Sequence, residues 1–139
     1  MKAFNEVTYI QLRGEEGRRI VVVFSNTDGD VSARLLFTDE WGMGREVQLD
    51  QGELDHLRGV LLTDAAEMRK NGAYLKLSDG DLNFTVRDTN RGEPYRDGFD
   101  FNLEQDWEGY PVFVEMDECR EFAALIGKTL GYTPSPSRR

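Results

Sequence analysis

Glu40-Trp41-Gly42-Met43-Gly44-Arg45-Glu46-Val47-Gln48-Leu49-Asp50 decides the fold, because its pattern returns as Asp106-Trp107-Glu108-Gly109-Tyr110-Pro111-Val112-Phe113-Val114-Glu115-Met116-Asp117. Each copy reads acid, tryptophan, glycine, a short β-prone run, an apolar residue, and an aspartate placed to open a helix. The second copy is longer by one residue, and the pair accounts for both tryptophans of the chain. A unit that runs strands into a capped helix, used twice, predicts two strands-then-helix halves.

Upstream of the first copy lie three strand signals. Val7 to Arg13 and Arg18 to Phe24 are rich in β-branched residues and flank Gly14-Glu15-Glu16-Gly17, a turn. Asn26-Thr27-Asp28-Gly29-Asp30 turns the chain again, since glycine after aspartate tolerates the positive φ of tight hairpins. Val31 to Thr38 follows with Val31, Ala33, Leu35 and Phe37 on one face, and Arg45 to Leu49 is the fourth strand. Asp50 and Glu53 form a capping-box pair ahead of Leu54, Leu57, Leu61, Ala65 and Met68 at helical spacing. That helix is expected to reach about Lys70, or to break near Thr63 and Asp64, with Asn71-Gly72 as its stop.

The second half repeats the order. Ala73 to Ser78 and Leu82 to Arg87 flank Asp79-Gly80-Asp81, a hairpin signal that sets Leu75, Leu77, Leu82, Phe84 and Val86 inward and Tyr74, Lys76, Asn83, Thr85 and Arg87 outward. Phe99, Phe101 and Leu103 alternate with Asp100, Asn102 and Glu104, and Val112, Val114 and Met116 alternate with Phe113 and Glu115. Asp117 is expected to cap a last helix carrying Cys119, Phe122, Ala123, Ile126 and Leu130. The reading is an α+β fold of two antiparallel four-strand meanders, each followed by an amphipathic helix (ββββα-ββββα). Residues 1–139 form one domain with a shared core, pseudo-repeats at 7–71 and 73–131, and a flexible tail at 132–139.

Composition narrows the function classes. With 39% hydrophobic and 31% charged residues the chain can bury a core and is not disordered. One cysteine, Cys119, excludes an internal disulfide framework and a multi-thiolate zinc site, so a cytoplasmic setting is expected. No run approaches the length of a membrane span, and the start lacks a secretory signal. A net charge of -9 repels nucleic acid phosphate and favours basic partners. Nine of the acids fall between Asp97 and Glu121, where Arg120 is the one base.

Signals for chemistry are sparse. His56 is the single histidine and sits in the first helix, while Cys119 falls on the apolar stripe of the second, where a thiol is inert. The 26–30 segment departs from a calcium loop, with glycine at the fourth position rather than the sixth and Phe37 at the twelfth. No phosphate-cradling glycine loop or nucleophile elbow occurs. The tryptophans at the strand entrances read as packing anchors. No catalytic residue, metal site or cofactor is expected, and the chain reads as a non-enzymatic interaction protein.

Two four-strand-and-helix repeats joined by a linker, with Asn90-Arg91-Gly92 in the second, resemble the PUR and Whirly families of single-stranded nucleic acid binding proteins. That resemblance implies sheets that bind single strands and helices that support or dimerise. The chain differs from those families in its acidity and in lacking a dense aromatic and basic sheet face. The leading expectation is therefore an acidic inhibitor or immunity-type binder of a basic protein partner, acting through Asp97, Asp100, Glu104, Asp106 and Glu108. The alternative is single-stranded nucleic acid binding by Tyr74, Lys76, Thr85 and Arg87, stacking on an aromatic among bases. Open sheet edges also make a homodimer an expectation.

Overall fold

The computed structural model describes residues 5–41, 44–63, 74–79, 82–91, 96–105 and 108–131. The order is β1 (Asn5–Arg13), β2 (Arg19–Thr27), β3 (Asp30–Thr38), β4 (Gly44–Leu49), α1 (Gln51–Leu61), β5 (Tyr74–Asp79), β6 (Leu82–Arg91), β7 (Arg96–Gln105), β8 (Pro111–Glu115) and α2 (Met116–Thr129). Strands β1 to β4 form one antiparallel sheet in sequence order and β5 to β8 a second. The α+β class and the layout of four strands then a helix, twice, are those read from the sequence.

Turn chemistry fixes the register of the first sheet. Asp28 and Gly29 both have positive φ, 53° and 89°, the conformation of a two-residue hairpin loop whose twist matches its strands. The Asn26 Oδ1 accepts the Gly29 N–H at 2.8 Å. The loop closes on Thr27 opposite Asp30, and pairing continues to Arg19 opposite Thr38. Val31, Ala33, Leu35 and Phe37 are buried, as their alternation predicts. A one-residue slip would have turned all four to solvent.

α1 opens with the full capping box: the Asp50 side chain accepts the Glu53 N–H at 2.8 Å, and the Glu53 carboxylate accepts the Asp50 N–H at 2.9 Å. It ends at Leu61 with Leu62 as its C-cap, beside the break expected near Thr63 and Asp64, and Ala65, Met68 and Asn71-Gly72 lie outside the described residues. The second cap differs from expectation. Glu115, not Asp117, is the N-cap of α2, and its side chain makes no capping bond. β8 runs straight into the helix, which leaves Asp117 and Glu118 in the first turn, where carboxylates suit the helix dipole. The Glu118 Oε1 accepts the Arg13 N–H at 3.1 Å, tying α2 to the end of β1.

The buried residues of both halves form one apolar cluster. Phe122 of α2 meets Phe24 of the first sheet and Phe101 of the second, each ring pair with centroids 6.3 Å apart. Phe37 stands edge-on to Phe84 at 6.0 Å, joining the inner faces of the sheets directly. Phe113 departs from the period-two reading: it lies on the polar side of β8 yet is buried. It covers Gly98 of β7, where an added Cβ would stand 2.8 Å from the Phe113 Cζ, so the missing side chain makes the space. The tail expected at residues 132–139 lies outside the described residues.

Phe122→Ala should cost about 3–5 kcal/mol, the usual range for emptying a buried phenylalanine site. Because that ring touches both sheets, denaturant unfolding should remain one transition by near- and far-UV circular dichroism. Separate transitions for the two halves in the wild-type chain would contradict a common core.

Candidate interaction surfaces

The two sets of candidate residues named from the sequence share one surface. Tyr74 pairs with Arg87, which pairs with Asp100; Lys76 pairs with Thr85, which pairs with Asn102; Asn83 pairs with Glu104. Lys76 and Arg87 are exposed, and Thr85, Asp100 and Glu104 half-buried. Acids and bases thus alternate across the outer face of the second sheet, and this face is neither an acidic patch nor a basic one. The Asn83 amide links the rows, accepting from the Ser78 hydroxyl at 2.7 Å and donating to Glu104 at 3.4 Å.

The remaining acids of the 97–121 stretch go elsewhere. Asp97 is exposed at the start of β7, and Asp106 lies outside the described residues. Glu108 sits beyond the end of β7, with its carboxylate 4.0 Å from the Arg45 guanidinium. Glu115, Asp117, Glu118 and Glu121 belong to the β8–α2 junction and the helix. Density along the chain did not become density in space, because strand alternation and a strand-to-helix junction distribute consecutive residues over several faces.

At the junction of the halves, arginines of the first half reach carbonyls of the second. Arg18 donates to the Pro111 carbonyl at 2.8 Å and lies over the Tyr110 ring, 4.8 Å from its centroid. Arg45 donates to the carbonyls of Leu103, at 3.0 Å, and Glu108. Phe37 stands edge-on to Tyr110 at 6.4 Å. Burial of Tyr110, and then the neighbouring Asp39 carboxylate, raise its pKa above the phenol value, against the pull of Arg18 and Arg45. These groups are occupied in holding the halves together.

A cleft opens beside β4. It has a volume of about 450 Å³ and is lined by Glu46, Val47 and Gln48 of β4, Glu53 of α1, Leu77 and Ser78 of β5, and Leu82 and Phe84 of β6. That size is typical of ligand clefts, roughly 300–1,000 Å³. Its floor is apolar and its rim carries two carboxylates. Among the described residues β4 pairs with β3 alone, and Glu46, Val47 and Gln48 line this opening. No sequence signal marked the cleft, since its walls come from both halves.

The outer face of the first sheet is a further unassigned surface. Arg13 pairs with Arg19, Val21 with Leu36, Leu36 with Glu46, and Val23 with Arg34. Val21, Val23 and Leu36 are half-buried between Arg13, Arg19 and Arg34. Arg34 is 3.6 Å from the Glu46 carboxylate. Trp41 corrects the expectation of a packing anchor: it is 81% exposed, in the turn after β3, where the Asp39 Oδ1 accepts its N–H at 2.9 Å. An anchor must be swallowed by its neighbours, and this side chain is left to solvent. Trp107 lies outside the described residues.

The chain's one histidine and one cysteine are on different helices. His56 is exposed on α1 while Cys119 is buried on α2. Among the described residues no cluster of three or more histidine, cysteine, aspartate or glutamate side chains is arranged to hold a metal ion. No helix among them is long and apolar enough to cross a membrane. No protein-family model matches the sequence. No curated protein matches it either. A solved chain from work on mutations in SsgB that correlate to longitudinal cell division during sporulation of Streptomyces coelicolor is similar with a TM-score of 0.47 and 11% identity. The similarity covers 94% of this chain and 91% of that one, and assigns no function.

Burial pushes the Cys119 thiol up to about 12, from an ordinary value near 9. The sign follows from the raised folded value. The neutral thiol's contribution to stability is complete below about pH 9 and is lost as pH climbs toward 12. A disulfide-exchange reagent at pH 8 should therefore label native protein only as fast as it opens, and denatured protein at once. Immediate labelling of the native chain would refute the burial.

Proposed function

We propose that this is a non-enzymatic interaction protein that captures a basic segment of a protein partner in the cleft beside β4. The observation that carries the reading is the cleft itself, with Glu46 and Glu53 at its rim above Val47, Leu77, Leu82 and Phe84. A net charge of -9 adds long-range attraction for a basic partner, which acts on association rate above all. Capture of this kind would inhibit or sequester the partner, in a cytoplasmic setting. Of the acids expected to act, Asp100 and Glu104 share the outer face of the second sheet with Lys76 and Arg87, as Glu46 at the rim shares its face with Arg34.

One observation favours a second reading. Arg13 and Arg19 stand directly opposite each other, a like-charge pair that weakens a sheet and is retained beside Val21, Val23, Leu36 and Arg34. In this reading single-stranded nucleic acid lies on the outer face of the first sheet, as the PUR and Whirly resemblance implies for such sheets. Gel shifts with unstructured oligonucleotides at low salt, and their loss in Arg19→Ala/Arg34→Ala, separate it from the first.

For the leading reading, affinity capture from the native cell should recover a basic protein that zero-length cross-linking joins to Glu46 or Glu53. Glu46→Lys should weaken that complex about tenfold at low salt, and less at high salt. Equal affinity for wild type and Glu46→Lys would sink it.

A further inference from the structure

The register of the first sheet says which backbone groups face the cleft. Thr27 and Asp30 close a two-residue loop and so form a hydrogen-bonded pair, and bonded and non-bonded pairs then alternate along the ladder. The even-numbered residues of β3 from Asp30 to Thr38 therefore bond to β2. Val31, Ala33, Leu35 and Phe37 turn their amides and carbonyls toward β4. Their partners there are Arg45, opposite Phe37, Val47, opposite Leu35, and Leu49, opposite Ala33. Gly44, Glu46 and Gln48 must then direct their N–H and C=O groups away from β3, to an edge beside which no strand lies among the described residues. Glu46 and Gln48 are residues of the cleft wall.

The side chains of β4 alternate in the same period. Val47 and Leu49 are buried on the inner face, while Glu46 and Gln48 are exposed on the outer one. A strand laid antiparallel along this edge would exchange bonds with Glu46 and Gln48. Its residues bonded to them would point outward beside the Glu46 carboxylate, and the intervening residues inward over Leu77, Leu82 and Phe84. The geometry points to β4 as the docking edge for an extended segment of a partner protein, alternating basic and apolar residues, which adds a fifth strand to the first sheet. This deepens the proposed function and rests on its premise that the partner is basic. Charge complementarity at Glu46 and Glu53 and apolar complementarity at the cleft floor select the same alternation.

A labelled peptide of alternating lysine and valine, titrated into the full chain by fluorescence anisotropy, tests this edge. Two methylated versions decide the mode. Methyl groups on the lysine amides, which face β4, should weaken binding about tenfold or more, since each lost bond is worth about three- to tenfold. Methyl groups on the valine amides, which face away, should leave affinity within about twofold. Gln48→Pro should weaken binding by a similar factor relative to Gln48→Ala. The proline removes an edge N–H that takes no part in the β3 ladder, so the variant should keep its melting temperature.

Should the proline variant fail to fold, the two methylated peptides still decide. If the parent peptide binds but both methylated forms and Gln48→Pro bind equally well, strand addition is wrong and the basic-partner reading stands. If the peptide does not bind while captured partner still depends on Glu46, the edge proposal alone fails. Loss of both ends the two together. Self-association of the chain through β4, seen by light scattering and abolished by Gln48→Pro, would assign the edge to a second copy and overturn the proposal.

Discussion

Two sheets that are each apolar on one side cannot stand alone in water, and most of this structure follows from that constraint. The inner faces meet at Phe37 and Phe84, and Phe122 brings the second helix against both. A sheet and one short helix per half would leave apolar area wet; the two halves together enclose a single cluster. The polar contacts at the boundary serve the same end. Arg18 and Arg45 of the first half donate to the Pro111 and Leu103 carbonyls of the second, bonds that cross the boundary.

Local chemistry made much of the fold legible. Positive φ at Asp28 and Gly29 and the reciprocal bonds of Asp50 and Glu53 are encoded within a few residues, so the hairpin and helix start could be read directly. Inward alternation at Val31, Ala33, Leu35 and Phe37 was equally clear. What failed depends on neighbours distant in sequence. Phe113 is buried because Gly98 across the ladder offers space, and α2 starts two residues early, capped at Glu115 rather than Asp117, because β8 leads directly into it. Trp41 looked like an anchor by composition and is exposed, since residue type alone does not bring neighbours over a side chain.

The candidate surfaces were less legible for the same reason. The run of acids from Asp97 to Glu121 is compact only along the chain. Its described members divide among β7, the segment beside Arg45, and the β8–α2 junction and helix. The cleft beside β4 was invisible because its walls come from β4, α1, β5 and β6, and a pocket shared between halves has no period in sequence.

An open strand edge is a hazard that proteins usually blunt, and β4 is short and carries Glu46 and Gln48 on its outward side. The same features that discourage pairing with an arbitrary chain admit one of complementary charge. Whether the edge is open is the fact on which the account turns, and residue-resolved amide hydrogen exchange of the free protein measures it. The account predicts fast exchange at Glu46 and Gln48 between protected amides at Arg45, Val47 and Leu49. Equal protection along all of β4 would show its outward groups already bonded and contradict the assignment.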